Sequence, residues 1–560
     1  GGGGVYELIN GKWTIFSPSW NGTMGAVTFM DQAIGMVGTV SAANSLVGSA
    51  AGDQVGGDYW DYVGNKIAIL SPNWANGVNA PSAGAITWFD SGSIVTGAVS
   101  PANSLVGNQT DDRIGGSNSV FQNLDGIHYA IRNSSWNTDT GAVTWIDTNA
   151  PAVGVISSAN SLVGNSSGDR IGAGGLQNLG YGKAAIYSPT WSTDRGAISW
   201  LDIATGTSGV VGAGNSLVGS TSGDQVGAYG YSSLGGSRIA FVTRSWANTA
   251  SVPNAGAVTW VDSSVGLSGA VSAANSLVGS GVNDQVGGDG ITAIGGSHYA
   301  VRSTDWSGLR GAVTWIDSAS PVVGAVSAAN SLVGANANDQ VGIGGVDNLG
   351  NGKSLVFSPA WNGGMGAVSW LDNTTGTFGV VNAGNSLVGS IAVMLVLPYR
   401  NDVTAGSLVA IFSPNWTNTA GAVSWADSSL GITGVVSASN SLVGGATGDR
   451  VGNSGIDYAD GAHSLVRTPN WSGNTGAITW VDHAAPAIGL VDASNSLVGA
   501  APGEQIANNV QNLYNGKSLV LSPNWGGNKG AVTWFDNAAG TFGVVGAGNS
   551  LVGSTAGTTG

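Results

Sequence analysis

Acidic side chains that could hold a metal ion recur at fixed places along the chain. Ten aspartates end the pattern G-A-[VI]-[TS]-[WF]-x-D. Aspartate ligates metals, but it also caps turns by accepting hydrogen bonds from backbone N–H groups. A residue present in every copy of a pattern is typical of architecture, so we expect each of these aspartates to close a strand and cap the following turn. They are Asp31, Asp90, Asp147, Asp202, Asp262, Asp317, Asp372, Asp427, Asp482 and Asp536.

A second set of acids lies in the pattern D-Q-V-G and its D-R variants. Glu504 replaces the aspartate in the last copy, an exchange that a metal site of fixed geometry would tolerate poorly. We therefore predict that these acids tie one unit to the next through a turn, and that the chain holds no metal and no other cofactor. The aspartates of the set are Asp53, Asp169, Asp224, Asp284, Asp339 and Asp449.

Pairs of tryptophans form a third recurring feature. Trp74 pairs in this way with Trp88, and Trp361 pairs with Trp370. Their rings could stack on sugars, or they could fill the space between neighbouring sheets. The pattern favours packing between sheets, and sugar binding stays open as the alternative.

A His-x-x-x-Arg pattern occurs three times, in every third unit. On a strand, an offset of four residues puts both side chains on one face about 13 Å apart. That distance is too long for a catalytic pair, and no repeated Ser or Cys nucleophile accompanies the pattern. We predict a solvated ridge or a contact between units here, and we expect the protein not to be an enzyme. The copies are His128 with Arg132, His298 with Arg302, and His463 with Arg467.

The whole chain is built from ten tandem repeats. The string N-S-L-V-G occurs ten times, at spacings of about 55 residues. Units three, six and nine share the His-x-x-x-Arg pattern, which indicates a three-unit super-repeat. The ten units span residues 1–55, 56–114, 115–171, 172–226, 227–286, 287–341, 342–396, 397–451, 452–506 and 507–560.

Each unit reads as four short strands separated by Gly, Asn, Asp and Pro. In the seventh unit the first strand is predicted within 342–349 and the second over 353–357. The third is G-A-V-S-W, and the fourth runs through the stretch that ends in N-S-L-V-G. No segment shows a helical period, so we predict an all-β chain of four-stranded blades with almost no helix. The blades would form a β-propeller or an open superhelical stack.

The composition limits the environment and the partners. The 560 residues carry a net charge of −15, only 9% are charged and none is Cys. The acidic balance argues against nucleic-acid partners. The longest apolar run, residues 391–397, is far too short to span a bilayer, so we expect no membrane insertion. The start with four glycines and no Met favours a processed product or an excised segment.

The order D-x-V-G, S-P-x-W, G-A-V-x-W resembles the FG-GAP blade of integrin-α-type β-propellers. Val55-Gly56, Ser71-Pro72 and Gly84-Ala85-Ile86 occupy the matching places, and the match recurs through essentially the whole chain. The repeat also resembles those of giant bacterial secreted proteins of the filamentous-haemagglutinin-like and adhesin-like kinds. Many FG-GAP blades bind calcium between their first two strands. The matching loops here, 178–183 and 348–353, offer too few carboxylates, and we predict no calcium there.

Residues 391–400 break the repeat pattern while its length is kept. We interpret the stretch from 391 to 407 as a local reading-frame or sequence-assignment error.

The sequence as a whole favours an extracellular or cell-surface structural or adhesive protein that forms a stalk, fibre or surface assembly. Self-association or other surface proteins are the expected partners. The alternative is a multivalent glycan-binding propeller, whose weak repeated sites would gain avidity.

Overall fold

The computed structural model describes residues 2–8, 11–58, 60–90, 93, 95–390, 400–402, 408–506 and 508–557. The chain divides into two compact units, Gly1–Ser276 and Leu277–Gly560. Each of these two halves consists of consecutive β-sheets with the same strand arrangement. The ten sheets correspond to the ten sequence repeats. The prediction of an all-β chain of tandem blades is confirmed. Closure into a ring or growth as an open stack stays a prediction.

Each sheet has an antiparallel order of first, second, third and fourth strand. The first strands are Gly4–Glu7, Trp60–Val63, Ser119–Asn123, Gly175–Asn178, Tyr231–Ser233, Ile291–Gly295, Val346–Asn348, Arg400–Asp402, Ile456–Tyr458 and Asn509–Asn512. The second strands are Lys12–Ser17, Lys66–Ser71, His128–Asn133, Lys183–Ser188, Arg238–Thr243, His298–Ser303, Lys353–Ser358, Leu408–Ser413, His463–Thr468 and Lys517–Ser522. The third strands are Ala26–Asp31, Ala85–Asp90, Ala142–Asp147, Ala197–Asp202, Ala257–Asp262, Ala312–Asp317, Ala367–Asp372, Ala422–Asp427, Ala477–Asp482 and Ala531–Asp536. The fourth strands are Ser45–Val47, Ser104–Val106, Ser161–Val163, Ser216–Val218, Ser276–Val278, Ser331–Val333, Ser386–Val388, Ser441–Val443, Ser496–Val498 and Ser550–Val552.

The second and third strands form the buried centre of each sheet. In the seventh repeat, Lys353–Ser358 and Ala367–Asp372 are buried at nearly every position, on both faces. A strand that is covered on both faces needs apolar or small residues at every position. This explains why these two segments are the most apolar of the repeat. First strands lie at the outer edge and are more exposed, as in Ser119–Asn123.

The predicted fourth strand is wrong in one respect, because the stretch divides into two strands that belong to different sheets. Its first part is a two-residue strand, here called the exchange strand, which pairs in parallel with the fourth strand of the preceding repeat. Leu332 thus pairs with Gly379, and Val333 with Val380. The exchange strands are Gly97–Ala98, Gly154–Val155, Gly209–Val210, Gly269–Ala270, Gly324–Ala325, Gly379–Val380, Gly434–Val435, Gly489–Leu490 and Gly543–Val544.

An asparagine turn separates the exchange strand from the fourth strand. In the sixth repeat, Asn330 Oδ1 accepts the Ser327 N–H at 2.9 Å, and Asn330 Nδ2 donates to the Ala325 carbonyl at 2.9 Å. The amide side chain thus satisfies the backbone where the chain reverses, as asparagine commonly does in turns. The Asn of N-S-L-V-G therefore sets the point at which the chain leaves one sheet and enters another.

Helical structure among the described residues is confined to single turns that begin at the Trp of S-P-x-W and its variants. Residues inside each turn have left-handed backbone angles, for example Asn137 at φ 52° and Thr138 at φ 57°. The expectation of almost no helix is confirmed. These turns are Trp20–Thr23, Trp136–Asp139, Trp191–Asp194, Trp306–Leu309, Trp361–Gly364, Trp416–Thr419, Trp471–Asn474 and Trp525–Asn528.

The hydrophobic core lies between consecutive sheets. One cluster combines Val313 and Leu332 of the sixth repeat with Val356, Trp361 and Leu371 of the seventh. Equivalent clusters occur at other junctions within each compact unit. A repeat therefore buries its apolar side chains largely against its neighbours, the usual arrangement in repeat proteins.

Most of the irregular stretch from 391 to 407 lies outside the described residues, which include only the strand Arg400–Asp402 there. Our interpretation of that stretch therefore stays a prediction. No helix among the described residues has the length and apolar character needed to cross a bilayer.

Candidate functional site at the repeat junction

A buried carboxylate stands at the junction between consecutive repeats. Asp224 Oδ2 accepts the N–H groups of Ser220 and Thr221, both at 2.8 Å. Its Oδ1 accepts the Ala247 N–H, which follows the Trp of the next repeat, at 2.9 Å. The carboxylate therefore bridges the loop that ends one repeat and a turn of the following one, as the D-Q-V-G pattern predicted.

The same bridge occurs with other residues. Glu504 accepts the N–H groups of Ala500 and Ala501 on one oxygen and that of Gly526 on the other. Asp112 makes the bridge in the second repeat. The sequence interpretation missed it, although its motif, D-R-I-G, is the same as that of Asp169 and could have identified it. Burial raises the pKa of the Asp112 carboxyl, and its three N–H donors offset that only in part.

The carboxylate compensates a strained turn. Asn137, whose N–H lies 2.6 Å from Asp112 Oδ1, begins three consecutive residues with positive φ. Left-handed backbone costs roughly 1–2 kcal/mol for each residue other than glycine. A charged acceptor that holds the first N–H of the turn is among the stronger hydrogen-bonding partners, and here it fixes the turn in place.

The glycine of G-A-[VI] meets the same junction. Gly196 has φ +75°, and a Cβ there would lie 2.3 Å from the Val226 N and O atoms. The two residues form a parallel bridge. No side chain can therefore replace the hydrogen of this glycine without moving the D-Q-V-G segment, which explains why G-A-[VI] recurs in every repeat.

The W-x-D aspartates lie at the other end of the sheet. Asp372 Oδ1 accepts the N–H groups of Thr374 and Thr375, and its Oδ2 lies 2.6 Å from Lys353 Nζ. Burial raises the pKa of the Asp372 carboxyl, but the Lys353 and backbone hydrogen bonds outweigh it and hold the pKa well below its ordinary value. Nine of the ten aspartates accept such a turn N–H from a described residue, which confirms the predicted capping role.

Six of the W-x-D tryptophans donate an indole hydrogen bond to the next repeat. Trp200 Nε1 donates to the Leu267 carbonyl at 2.7 Å, and Trp315 Nε1 donates to that of Asn373 at 2.9 Å. Sequence reasoning did not anticipate these bonds. The sequence feature that could have indicated these bonds is the repeat spacing, because each acceptor carbonyl lies about one repeat after its tryptophan.

The tryptophans of the candidate pairs are buried. Trp74 is 3% exposed, Trp88 is 8%, and Trp361 and Trp370 are 9% each. Trp74 and Trp88 lie in clusters formed between neighbouring repeats. No ring of these pairs presents a face on which a sugar could stack. Trp88 Nε1 also donates to the Ala152 carbonyl of the next repeat.

The histidines of the third, sixth and ninth repeats stack on the W-x-D tryptophans. The centroid distances are 5.2 Å for His128 with Trp145, 5.3 Å for His298 with Trp315 and 4.9 Å for His463 with Trp480. Asp125 lies 2.7 Å from His128 Nδ1, and Asp460 lies 2.8 Å from His463 Nδ1.

The arginines of the same pattern occupy the opposite end of the strand. Arg132 Nη1 donates to the Gly172 carbonyl of the next repeat at 2.9 Å, and burial lowers the pKa of Arg132. Arg302 Nη2 donates to the Asp289 carbonyl at 2.6 Å, and Arg467 lies 2.7 Å from Asp457. The structure therefore does not bring the His and Arg side chains of the pattern together. The Arg132 bond is a contact between neighbouring repeats.

A cleft opens beside His298. Its volume is about 290 Å³, and it is lined by Asn348, Asn373 and Thr374 together with glycines. Gly295 stands where the third and ninth repeats carry Asp125 and Asp460. Within the described parts of the chain, no three His, Asp or Glu side chains come close enough to hold a metal ion.

Two of the solved structures to which the chain is similar are distant in sequence and in structure. A structure described as the eukaryotic initiation factor is 12% identical, with 78% of this chain and 87% of that chain covered and a TM-score of 0.19. Another, described as the tricorn protease, is 11% identical, with 88% and 39% covered and a TM-score of 0.17. Likenesses at these TM-scores carry no argument about fold or function. No curated protein matches the chain.

A family model accounts for most of the sequence. It matches ten consecutive segments, which agree in number with the ten N-S-L-V-G strings. These segments are residues 7–57, 64–116, 123–173, 178–228, 241–288, 293–343, 348–394, 405–453, 461–508 and 512–559. The chain therefore belongs to the family described as "Repeat of unknown function (DUF5650)".

Proposed function

We propose that the chain is an extracellular structural or adhesive repeat protein, without enzymatic activity, that forms a stalk, fibre or surface assembly. The exchange strand is the observation that supports this proposal. At nine junctions a repeat adds a strand to the sheet of the preceding repeat. Part of each of these repeats is thus used to join it to its neighbour.

Several bonds of different chemistry act together at a junction. At the junction of the sixth and seventh repeats, the Val381 N–H donates to the Val333 carbonyl, the carboxylate of Asp339 bridges two loops, and the Trp315 indole binds Asn373. Pulling two repeats apart would have to break these bonds together and expose the core between the sheets. Such coupling suits a protein that carries load or holds a surface at a distance.

The resemblance to FG-GAP blades and to bacterial adhesins remains part of this proposal. The low content of charged residues and the absence of Cys are consistent with a large secreted surface protein. Protease treatment of intact source cells tests the location. We expect the protein to be cleaved without lysis of the cells, while cleavage only after lysis would contradict an extracellular location.

Stretching single molecules tests the structural role. We expect a series of unfolding events, each releasing about 55 residues or about 190 Å of chain. Val326→Pro removes the N–H that donates to the Val278 carbonyl and should lower the force of one event. Val265→Thr, in an exposed turn, should leave every event unchanged. Extension without resolved events at low force would contradict a load-bearing role.

The cleft beside His298 favours glycan binding as a second candidate function. The stacked His298 and Trp315, with Asn373 and Thr374, place an imidazole, an amide and a hydroxyl around a space of about 290 Å³, which admits a single sugar ring. A glycan array followed by titration calorimetry tests it. Saturable binding that His298→Ala abolishes and His463→Ala preserves would support this candidate, and no binding to any glycan would exclude it.

A further inference from the structure

Two of the three equivalent histidines bind a carboxylate of their own repeat. In the third repeat, His128 Nδ1 lies 2.7 Å from an oxygen of Asp125. In the ninth repeat, His463 Nδ1 lies 2.8 Å from an oxygen of Asp460. An ionised carboxylate only accepts hydrogen bonds, so in both repeats Nδ1 carries the hydrogen and donates it.

The third of these histidines, His298, has no such partner. Its ring stacks on Trp315 at an angle of 26°, against 20° and 24° in the other two repeats, so the three imidazoles are held in the same way. Gly295 stands in the place of the aspartate, and a Cβ on Gly296 would lie 4.0 Å from His298 Nδ1. Among the described residues, no group accepts a hydrogen bond from the His298 ring. The position of the missing carboxylate belongs to the cleft of about 290 Å³, which both glycines line.

The aspartate across the sheet does not close this position to a second carboxylate. Asp317 is in register with His298, and its Oδ1 accepts a backbone N–H and a serine hydroxyl. Asp147 has the same place opposite His128, which binds Asp125 nonetheless. A histidine in this setting therefore accommodates two carboxylates, and the one beside His298 has only the first.

The rest of the cleft wall offers small and neutral groups. In the described structure, no heavy atom lies within 4 Å of a Cβ built on Gly350 or Gly352, so a ring can approach the backbone there. Thr374 is exposed, and it stands where the fourth and tenth repeats carry Ala204 and Ala538. A hydroxyl beside open backbone suits the hydroxyl groups of a sugar, which also fits the size of the cleft.

We propose that this cleft binds a hexuronic acid residue of a glycan, whose carboxylate takes the place at His298 that Asp125 and Asp460 take in the equivalent repeats. His298 Nδ1 donates its hydrogen to that carboxylate, and the stacked Trp315 holds the imidazole in position. The sugar hydroxyls face Thr374 and the glycine backbone. The inference rests on the glycan-binding candidate and names its ligand class.

Matched sugars test the proposal on the full chain. Methyl glucuronide and methyl galacturonide are compared with methyl glucoside and methyl galactoside, which differ from them only at C6. In titration calorimetry we expect at least one uronide to bind saturably at a single site. Its neutral counterpart should bind about tenfold more weakly or worse, because a charged acceptor makes the stronger hydrogen bond.

Imidazole nitrogen spectra identify the site. The chain has four histidines, His128, His298, His463 and His483, so a chain labelled only at histidine gives few signals. We expect the bound uronide to move the Nδ1 signal of His298 and to leave the other three in place. His298→Ala assigns that signal and should abolish uronide binding, whereas the control His463→Ala should keep it. Circular dichroism would verify that both variants keep the parent spectrum.

Three results would contradict the proposal. Equal affinities for a uronide and its neutral counterpart, both lost in His298→Ala, would overturn the role of the carboxylate and leave glycan binding in place. Binding of neither uronide would overturn the inference, while a positive glycan array would then still support the glycan-binding candidate. Uronide binding that persists in His298→Ala, or that leaves the His298 signal unmoved, would show that the ligand binds elsewhere on the chain.

Discussion

At the junction, the charge of Asp224 is matched by N–H donors from two loops. Asp224→Asn would replace one acceptor oxygen by an NH₂ group that faces backbone donors. We expect a loss of about 1–3 kcal/mol in local stability, because a buried hydrogen-bond partner is removed. Hydrogen exchange at the amides of Ser220, Thr221 and Ala247 would measure it.

Asp224→Glu is the matched control, because Glu504 makes the same bridge between the ninth and tenth repeats. We expect it to keep most of the protection of the three amides. Equal loss in both variants would mean that side-chain length, and not the two acceptor oxygens, decides the stability of the junction.

Two tryptophans of the fourth repeat separate the packing contribution of an indole from that of its N–H. Trp200 and Trp191 are each 8% exposed, but only Trp200 has a hydrogen-bond acceptor among the described residues, the Leu267 carbonyl. We expect Trp200→Phe to reduce stability by about 1 kcal/mol more than Trp191→Phe, because it also leaves a carbonyl without its donor. Denaturant unfolding followed by hydrogen exchange would show it, and equal losses would contradict a role for the indole bond.

At the scale of the element, the glycine that precedes the third strand lies against the backbone of the D-Q-V-G segment. The strand can begin there only if that residue has no side chain. Gly196→Ala would bring a methyl group to within 2.3 Å of Val226 backbone atoms at a positive φ. We expect a loss of at least about 2 kcal/mol in the free energy of unfolding. Gly212→Ala is the control, since no heavy atom lies within 4 Å of a Cβ there, and it should be nearly neutral. Similar thermal midpoints for the two variants would contradict this role of Gly196.

The sequence predicted those strands and turns that local composition determines, and it missed those that depend on a partner in another repeat or on the sign of a backbone angle. The second strand of the seventh repeat was expected over 353–357 and spans Lys353–Ser358, because local composition and flanking turn residues determine a buried strand. The exchange strand was missed because two residues are too few to show a period and because its partner lies in another repeat. The left-handed turns were missed although five of the eight stretches carry Gly at their third position, a residue that favours positive φ. In the other three the signal is weaker, as at Thr138.

The features of the candidate site also fall into those that the sequence could predict and those that it could not. The carboxylate bridge could be predicted, since an acid repeated before V-G had to satisfy turn amides. The stacking of His128 on Trp145 could not, because it depends on the register that places the second strand beside the third. The cleft beside His298 depends on Gly295, whose effect is visible only against the aspartates of the equivalent repeats.

For the whole molecule, paired aspartates predict sensitivity to acid. Lysine and backbone hydrogen bonds lower the pKa of Asp31 and Asp536, and they do so at Asp202 and Asp372 against an opposing effect of burial. Since the folded-state pKa lies below the unfolded value of about 3.9, the stabilisation is present above about pH 4 and is lost as the pH falls further. We expect the thermal midpoint to be flat from pH 5 to 8 and to drop below pH 4.

Replacing the four partner lysines by methionine should make that drop smaller, because the unpaired aspartates would then titrate closer to their ordinary pKa. An unchanged pH profile would show that other carboxylates cause the acid sensitivity. The four lysines are Lys12, Lys183, Lys353 and Lys517.

The exchange strand also sets the order in which the protein can finish folding during synthesis. Gly379 completes the sheet to which Leu332 belongs, and it lies 47 residues further along the chain. At about 5–20 residues per second, a ribosome leaves each new sheet edge uncovered for about 2 to 9 seconds. Each repeat therefore emerges as the template for the next, and at any moment the growing chain exposes the edge of its newest sheet to solvent and to chaperones.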